Sequence, residues 1–301
     1  MVARLVELIN QQHGTALAPH GRYRTGEQGA FAVSEANGDR VRRLVLKWWP
    51  GTEIPDNLRQ AAAITARLRT VGYPAPRYQL LGVAQPLQVV YSLQEELPGT
   101  PLEGRLDRPL LDRLLKLNAL QRKQAIPPFG TWPKPVADPV LHGGDGYCLL
   151  DPLRSYSAAT ATLLDVVQRL VITGMGEPSP TADVVHFDFQ GSNILVDREE
   201  ISGVVDWEGS CGGDRAFDLA TLFFYAGASE EAEADQIERL WRLLVAETGP
   251  RLLGVYLAHL ILRQIDWSIR FHDREAVAHW LGHADDVLRR LSALTEADGS
   301  V

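Results

Sequence analysis

The amino-acid pattern changes from strand-like to helix-like near the segment "LPGTPL", which begins at Leu97. On its N-terminal side, "FAVSEANGDRVRRLVLKWW", "YQLLGV" and "LQVVYSLQEEL" are rich in β-branched and aromatic residues, which favour strands. On its C-terminal side, apolar residues recur at helical spacing. This order predicts an α+β fold with two lobes. Residues 1–97 form a small β-rich lobe with one main helix, and residues 98–301 form a larger, mostly helical lobe.

Turn and cap signals divide both parts further. The run Asn37-Gly38-Asp39 separates two β-rich stretches, as in a hairpin. The stretch "DNLRQAAAITARLRTVG" predicts a helix with Asp56 as its N-cap and a stop at Gly72. The Pro- and Gly-rich residues 127–146 predict a long surface loop or an insertion. The segment "RPLLDRLLKLNALQRK" has a helical pattern of apolar residues. Three further helical patterns come later in the chain, at Ser229–Glu247, Arg251–Asp273 and Glu275–Leu294.

Composition excludes several functional classes. The chain has 301 residues and a net charge of −8, from 38 acidic and 30 basic residues. This charge argues against binding nucleic acid by neutralising phosphates, and favours a cationic partner. Cys148 and Cys211 lie far apart and form neither a disulfide framework nor a zinc motif, so we expect a reducing, cytoplasmic location. No stretch has the apolar length of a membrane span, so no membrane partner is expected.

The segment from Val184 to Trp207, "VVHFDFQGSNILVDREEISGVVDW", concentrates polar side chains between short apolar runs. Asp188 and Asn193 are separated by "FQGS", a spacing at which a turn can bring both side chains to one side, and Asp206 ends the run "ISGVV". Phosphoryl transfer needs a carboxylate beside the attacking hydroxyl and oxygen ligands for Mg²⁺. The segment supplies both types of group. Its alternative interpretation is a hairpin whose polar residues only occupy turns.

Two upstream features fit the same chemistry. Lys47 ends the β-rich run "RRLVLK" and could supply a cation to phosphates. Gly26 and Gly29 precede a strand, where backbone N–H groups can approach phosphate oxygens.

The motifs "HFDFQGSNILVD", "GVVDWEGS" and "DRAFDLA" resemble those of the aminoglycoside phosphotransferase and choline kinase-like family, which is related to the protein kinases. The resemblance implies a bilobal protein-kinase-like fold that uses Mg²⁺ and ATP or GTP. It implies that Asp188 is the catalytic base or orients the hydroxyl, that Asn193 and Asp206 hold Mg²⁺, and that Lys47 contacts the α- and β-phosphates. It also places the adenine at the connector backbone, near Gln94, Glu95 and Leu97.

Two positions depart from the family pattern. Where relatives carry an acidic residue in the first helix to pair with the strand lysine, this chain has Gln60. Either Gln60 accepts a hydrogen bond from Lys47, or Glu53 takes the pairing role. Phe187 stands where relatives commonly carry glycine. The missing acid leaves a nucleotide-binding protein without turnover as an alternative to an enzyme.

The family resemblance implies that His186 has a structural role, as a packing and hydrogen-bonding residue behind the loop. We expect a structural role for Asp218 as well, either in organising the loop or in capping the next helix. His279 and His283 are expected to be surface residues.

The resemblance implies that the acceptor is a small molecule with a hydroxyl group, and the net charge leads us to expect a cationic one. Arg263, Asp266, Trp267 and Arg270 share one face of a predicted helix and could contact it. The alternative is that Trp267 is packed core and these charges form a solvated rim. Glu208 is a further candidate for an amine contact. An amine-rich antibiotic such as an aminoglycoside is the leading acceptor, and a metabolic alcohol such as choline, a sugar or homoserine is the alternative.

Overall fold

The computed structural model describes residues 1–23, 29–37, 40–127, 131–176, 179–180 and 182–298. The helices are α1 (Val2–His13), α2 (Asp56–Arg69), α3 (Arg108–Ala119), α4 (Lys134–His142), α5 (Leu150–Tyr156), α6 (Ala158–Gly174), α7 (Ala216–Gly227), α8 (Ala234–Phe271) and α9 (Arg274–Asp298). The strands are β1 (Leu17–Arg22), β2 (Phe31–Asn37), β3 (Arg40–Pro50), β4 (Tyr78–Ala84), β5 (Val89–Glu95), β6 (Thr100–Pro101), β7 (Thr131–Trp132), β8 (Ser179–Pro180), β9 (Asp183–Val185), β10 (Ile194–Asp197), β11 (Glu200–Val204) and β12 (Cys211–Gly213).

Residue contacts divide the chain into two compact units. The first comprises residues 1–100 and 195–210, and the second comprises 101–194 and 211–301. The division into lobes between residues 97 and 98 stays a prediction. The segment 195–210, which the sequence placed in the second lobe, belongs to the first unit because the turn after β11 packs on α2.

The first unit is built on a five-stranded antiparallel sheet with the order β1-β2-β3-β5-β4. The predicted hairpin is confirmed, since β2 and β3 pair antiparallel with Asn37 opposite Arg40. Side chains alternate between the faces of β3. Leu44 and Leu46 are buried in a cluster with residues of α1, so the other face of β3 carries Lys47. The alternation therefore separates the apolar core of the sheet from its polar face.

Helix α2 confirms the predicted helix, but its N-cap differs from the prediction. Pro55 is the N-cap residue, and Asp56 lies in the first turn. An acidic side chain in this turn interacts favourably with the helix dipole without accepting a capping hydrogen bond. The chain leaves the helix through Gly72, whose φ of 84° suits glycine.

Helix α8 is central to the second unit and contacts α4, α5, α6, α7 and α9. Gly249 interrupts it with a φ of 71°, and Pro250 follows. This break confirms the predicted separation of two helices near residues 247–251. Asp218 lies inside helix α7, which begins at Ala216, so it does not cap that helix.

The prediction of a surface loop over residues 127–146 is wrong where the chain forms β7 and helix α4, and the alternative of an insertion stays a prediction. Helix α4 begins at Lys134, and Val136, Ala137 and Val140 are buried at helical spacing. Pro135 is in the first turn, where its missing N–H is not needed. Trp132 is buried and donates from Nε1 to the Tyr256 hydroxyl at 2.6 Å. Apolar packing thus outweighs the proline and glycine content of this segment.

No helix in the described part of the chain is long and apolar enough to span a membrane.

Candidate active site

The loop that follows β9 in the second unit carries Asp188, and its backbone is hydrogen-bonded to Asp218. The buried Asp218 carboxylate accepts hydrogen bonds from the backbone N–H of His186 at 2.8 Å and of Phe187 at 3.0 Å, and from the Gln121 side chain at 2.6 Å. Burial raises the pKa of Asp218 to about 7, against the lowering effect of these donors. The predicted loop-organising role of Asp218 agrees with these contacts.

His186 and Phe187 shape the backbone before Asp188. His186 is buried, and its Nδ1 accepts from the Asp188 N–H at 3.2 Å. Phe187 has a φ of 74°, a left-handed conformation that glycine adopts most easily. Its ring packs against Phe217 and His259, with centroid distances of 5.0 and 5.4 Å. These ring contacts favour phenylalanine at this left-handed position.

The Asp188 carboxylate accepts three side-chain hydrogen bonds within the second unit. Its Oδ1 accepts from Arg263 at 2.7 Å and from Gln190 at 2.9 Å, and its Oδ2 accepts from Asn193 at 2.8 Å. Asn193 also donates to the Asp188 carbonyl at 2.9 Å, which closes the turn between the two residues. The sequence-based expectation that Asp188 and Asn193 lie side by side agrees with this geometry.

Arg263, on helix α8, also holds this loop. Its second guanidinium nitrogen donates to the Phe187 carbonyl at 3.1 Å, so one side chain binds both the backbone and the carboxylate of the loop. Burial lowers the pKa of Arg263, but the negative charge of Asp188, together with smaller contributions from Tyr225 and Cys148, raises it, and the net direction is upward. The guanidinium therefore stays charged. The sequence placed Arg263 on the face with Asp266 and gave no signal that it pairs with Asp188, since the two lie 75 residues apart.

In the first unit, Lys47 is bound by two carboxylates. Its Nζ donates to Asp206 at 2.8 Å and to both Glu208 oxygens at 3.1 Å. Glu208 also accepts from the Gln94 side chain at 3.1 Å, and Gln94 donates to Ser92 at 3.0 Å. Ser92 is the residue opposite Lys47 across the β3–β5 pair. The polar face of the sheet thus holds one connected network.

Burial and the neighbouring charges shift the pKa values of Lys47 and Glu208 in opposite directions. Burial lowers the pKa of Lys47, but the negative charges of Glu208 and Asp206 outweigh it, and the pKa of Lys47 is raised. Burial raises the pKa of Glu208, opposed by the Lys47 ammonium. A buried cation with two acidic partners is held in place as a point charge.

Neither alternative for the partner of Lys47 holds in the structure. Gln60 and Glu53 are both exposed, and the carboxylates beside Lys47 are those of Glu208 and Asp206. Glu208 was expected to contact an amine of the acceptor, but it is engaged with Lys47 and Gln94 instead. The reason is local: Asp206 has a φ of 71° and begins a 3₁₀ turn over Trp207–Gly209 that brings Glu208 to Lys47.

The expected nucleotide-binding residues lie in the first unit. Gln94 is inside strand β5 between β3 and β4, with its side chain buried. Glu95 accepts from Arg69 at 2.9 Å, and Leu97 lies against Gly203. Gly29 is buried with a φ of 70°, which suits glycine. Gly26 lies outside the described residues.

The candidate acceptor residues on α8 form an ion pair and an aromatic pair. Buried Asp266 accepts two hydrogen bonds from Arg270, both at 2.8 Å, and Arg270 also donates to the Gly146 carbonyl at 3.1 Å. Trp267 packs on the exposed Phe271 with a centroid distance of 4.0 Å. Trp267 is half-buried, so it is neither core nor fully solvated. The charge of Asp266 is neutralised by its neighbour.

The predicted surface histidines differ from each other. His279 is exposed, as expected, whereas His283 is half-buried and contacts the Phe224 carbonyl at 2.8 Å. The described residues contain no group of three or more His, Cys, Asp or Glu side chains arranged to hold a metal ion. Asp206 in the first unit carries a carboxylate and Asn193 in the second carries an amide, and both are oxygen groups of the kind that can bind Mg²⁺.

A family profile matches residues 26–253, about three quarters of the chain, and it describes the APH phosphotransferase enzyme family. The chain belongs to this family. The membership and the α+β architecture confirm the resemblance and the fold class predicted from the sequence.

Individual relatives agree with the APH assignment. Hygromycin-B 4-O-kinase from Escherichia coli is 27% identical over an alignment of 210 residues that covers 65% of this chain and 58% of that protein. The structure of a thermostable mutant of aminoglycoside phosphotransferase APH(4)-Ia, a ternary complex with AMP-PNP and hygromycin B, has a TM-score of 0.66 at 19% identity, over 94% of this chain and 97% of that one. Macrolide 2′-phosphotransferase type I has a TM-score of 0.57 at 18% identity, over 94% and 96%. These two structures show the APH fold.

Proposed function

We propose that this protein is a kinase of small molecules, which transfers the γ-phosphoryl group of ATP or GTP to a hydroxyl group. One observation carries the proposal: the Asp188 carboxylate is held in a fixed orientation by Arg263, Gln190 and Asn193. Phosphoryl transfer depends on positioning and on charge stabilisation more than on covalent chemistry by the protein. A rigid, charged aspartate in an APH chain fits that requirement.

The Asp188 carboxylate has lone pairs left to accept a hydrogen bond from a hydroxyl group of the acceptor. A carboxylate offers about four lone-pair sites. Among the described residues, Oδ1 accepts two side-chain bonds and Oδ2 accepts one, from Asn193. An acceptor O–H can therefore donate to Oδ2, which orients the oxygen for attack and takes its proton as the new P–O bond forms.

Lys47 is the proposed contact for the α- and β-phosphates, and Asn193 and Asp206 are the proposed Mg²⁺ ligands. Bound Mg²⁺ would neutralise charge on the phosphates. The chain's own contribution at Lys47 is a cation kept charged by Glu208 and Asp206. The proposed nucleotide-binding residues lie at the end of β5 and just after it, and in the glycine-containing segment before β2. They are Gln94, Glu95 and Leu97, and Gly26 and Gly29. The nucleotide complex of the APH(4)-Ia mutant supports this donor.

The first candidate acceptor is an amine-rich antibiotic such as an aminoglycoside. The net charge of −8 and the hygromycin B kinase among the relatives support it. The second candidate is an alcohol of low charge, such as a metabolic sugar. It is favoured because Asp188 is paired with Arg263 and Asp266 with Arg270, so these acids present little unbalanced negative charge to a polycation.

Asp188→Asn tests the catalytic role. An amide keeps the size of the side chain but takes no proton and cannot accept from Arg263 as a charged group. We expect turnover to fall at least about 1,000-fold, in the range of lost proton transfer and orientation combined, with nucleotide affinity unchanged. The measurement is mass spectrometry of aminoglycosides, macrolides, sugars, choline and homoserine after incubation with MgATP.

The matched control is Asp197→Asn, which changes an exposed aspartate nine residues after Asp188 in the sequence. Turnover should be retained in the control. Undiminished turnover in Asp188→Asn contradicts the assignment of Asp188. A wild-type protein that binds ATP but modifies no acceptor favours the alternative of a nucleotide-binding protein without turnover.

A further inference from the structure

Two carboxylates bind the amine of Lys47, and that of Glu208 is the less exposed of the two, although the sequence suggests Gln60 or Glu53 as the partner. Both Glu208 oxygens lie 3.1 Å from Nζ. The side chains of Lys47 and Glu208 are each 16% exposed, whereas that of Asp206 is 51% exposed. An ion pair shielded from water is screened less than an exposed one. The ion pair of Lys47 with Glu208 is therefore screened less by solvent than its pair with Asp206.

The turn that carries Glu208 is anchored independently of Lys47. Trp207 is buried, donates from Nε1 to the Val204 carbonyl at 2.7 Å, and packs edge-on against Tyr73 at a centroid distance of 5.5 Å. The Asn57 side chain, on helix α2, donates to the Glu208 carbonyl at 3.1 Å. These contacts fix the backbone of Glu208, so its carboxylate reaches Lys47 from a preorganised position.

Helix α2 contacts this turn but contributes an amide rather than an acid. Asn57 and Gln60 are three residues apart and lie on neighbouring positions of one helix face. Gln60 is exposed. The helix therefore supports the turn at Asn57, while the negative charge comes from the turn itself.

We propose that Glu208 is the positioning residue for Lys47, supplying from the turn after Asp206 the carboxylate that helix α2 does not supply at Gln60. This inference rests on the proposed function, in which Lys47 contacts the nucleotide phosphates. The same short turn then carries Asp206 and also orients the lysine. Gln94 completes the arrangement by donating to Glu208 from strand β5, which fixes the carboxylate between two donors.

Glu208→Gln tests the proposal because it removes the charge and keeps the shape. We expect the Kd for AMP-PNP to rise about tenfold, the range of a lost charge-assisted hydrogen bond. The KM for ATP should rise in parallel, while the KM for the acceptor stays constant. Glu208→Asp should restore part of the affinity. The measurements are titration calorimetry with AMP-PNP and steady-state kinetics, with thermal unfolding to show that each variant is folded.

A double-mutant cycle separates action through Lys47 from other roles. Lys47→Met should weaken nucleotide binding, and adding Glu208→Gln to it should change the Kd less than about twofold, because the interaction is already lost. The doubly substituted protein should also be more stable than Lys47→Met alone, since it leaves no unpaired buried carboxylate. The matched control is Glu53→Gln, an exposed acid in the same unit, which should leave the Kd unchanged.

Three outcomes overturn the inference. An unchanged Kd in folded Glu208→Gln shows that Lys47 needs no partner there. Additive effects in the cycle show that Glu208 acts independently of Lys47. A variant that only requires more Mg²⁺, with the Kd measured without metal unchanged, makes Glu208 a metal ligand. If the wild-type protein binds no AMP-PNP, the proposed function fails first, and this result is distinct from the other three.

Discussion

At the scale of single residues, Asp188 depends on neighbours that come from distant parts of the sequence. Asp218 holds the loop backbone from helix α7, and Arg263 holds the carboxylate from helix α8. Phe187 adds a local cost, because a left-handed conformation costs a non-glycine residue about 1 to 2 kcal/mol. Its ring contacts with Phe217 and His259 offset that cost.

Arg263→Lys tests whether orientation of Asp188 matters for rate. A lysine ammonium is compact and lacks the planar fork that reaches both the Asp188 carboxylate and the Phe187 carbonyl. We expect kcat to fall up to about 100-fold, the effect of a small misplacement of a reacting group, with the KM for ATP unchanged. Steady-state kinetics with the phosphorylated acceptor measure both constants.

The control for this variant is Arg242→Lys, an exposed arginine on the same helix. It should leave kcat at the wild-type value. Full kcat in the Arg263→Lys variant would show that the ion pair stabilises the loop without affecting catalysis.

At the scale of elements, motif residues close together in sequence were predictable and long-range partners were not. The proximity of Asp188 and Asn193 follows from the short turn between them. The pairing of Glu208 with Lys47 joins residues 161 positions apart, and no local pattern encodes it. Helix α4 was missed for another reason: Pro135 and Pro139 suggested a loop, while the spacing of Val136, Ala137 and Val140 suggested a buried helix face.

Helix α8 also carries a buried histidine that makes stability depend on pH. His259 is fully buried, and its Nδ1 lies 2.9 Å from the Val136 carbonyl, so the neutral ring donates. Burial lowers the pKa of His259 to about 3. The unfolded chain binds a proton near pH 6.5 and the folded one does not. Stability from this group is therefore present above about pH 6.5 and decreases as the pH falls towards 3.

His259→Gln should remove this dependence. Between pH 7 and pH 5, we expect the wild-type protein to lose about 2 kcal/mol more unfolding free energy than the variant. Urea denaturation at both pH values measures the difference, and contributions from Asp218 and His283 cancel because both proteins contain them. Equal losses in the two proteins would contradict a neutral buried His259.

At the scale of the whole molecule, the net charge of −8 attracts cations over a distance that salt controls. If an aminoglycoside is the acceptor, we expect its KM to rise several-fold as KCl increases from about 50 to about 500 mM, because the Debye length falls over this range. The measurement is acceptor KM at saturating MgATP, with sucrose of equal osmolality as the control. A KM that does not change with KCl favours the acceptor of low charge.

The placement of Arg263 on α8 limits how the acceptor specificity of this chain can change. The arginine that orients Asp188 lies three residues before Asp266 and seven before Arg270, on one uninterrupted stretch of helix. Backbone hydrogen bonds from each residue to the fourth residue before it join these positions into one continuous element. A mutation that moves this helix would therefore also displace Asp188, the proposed catalytic residue. New specificities are expected to arise through side-chain exchange on this helix, with its backbone retained.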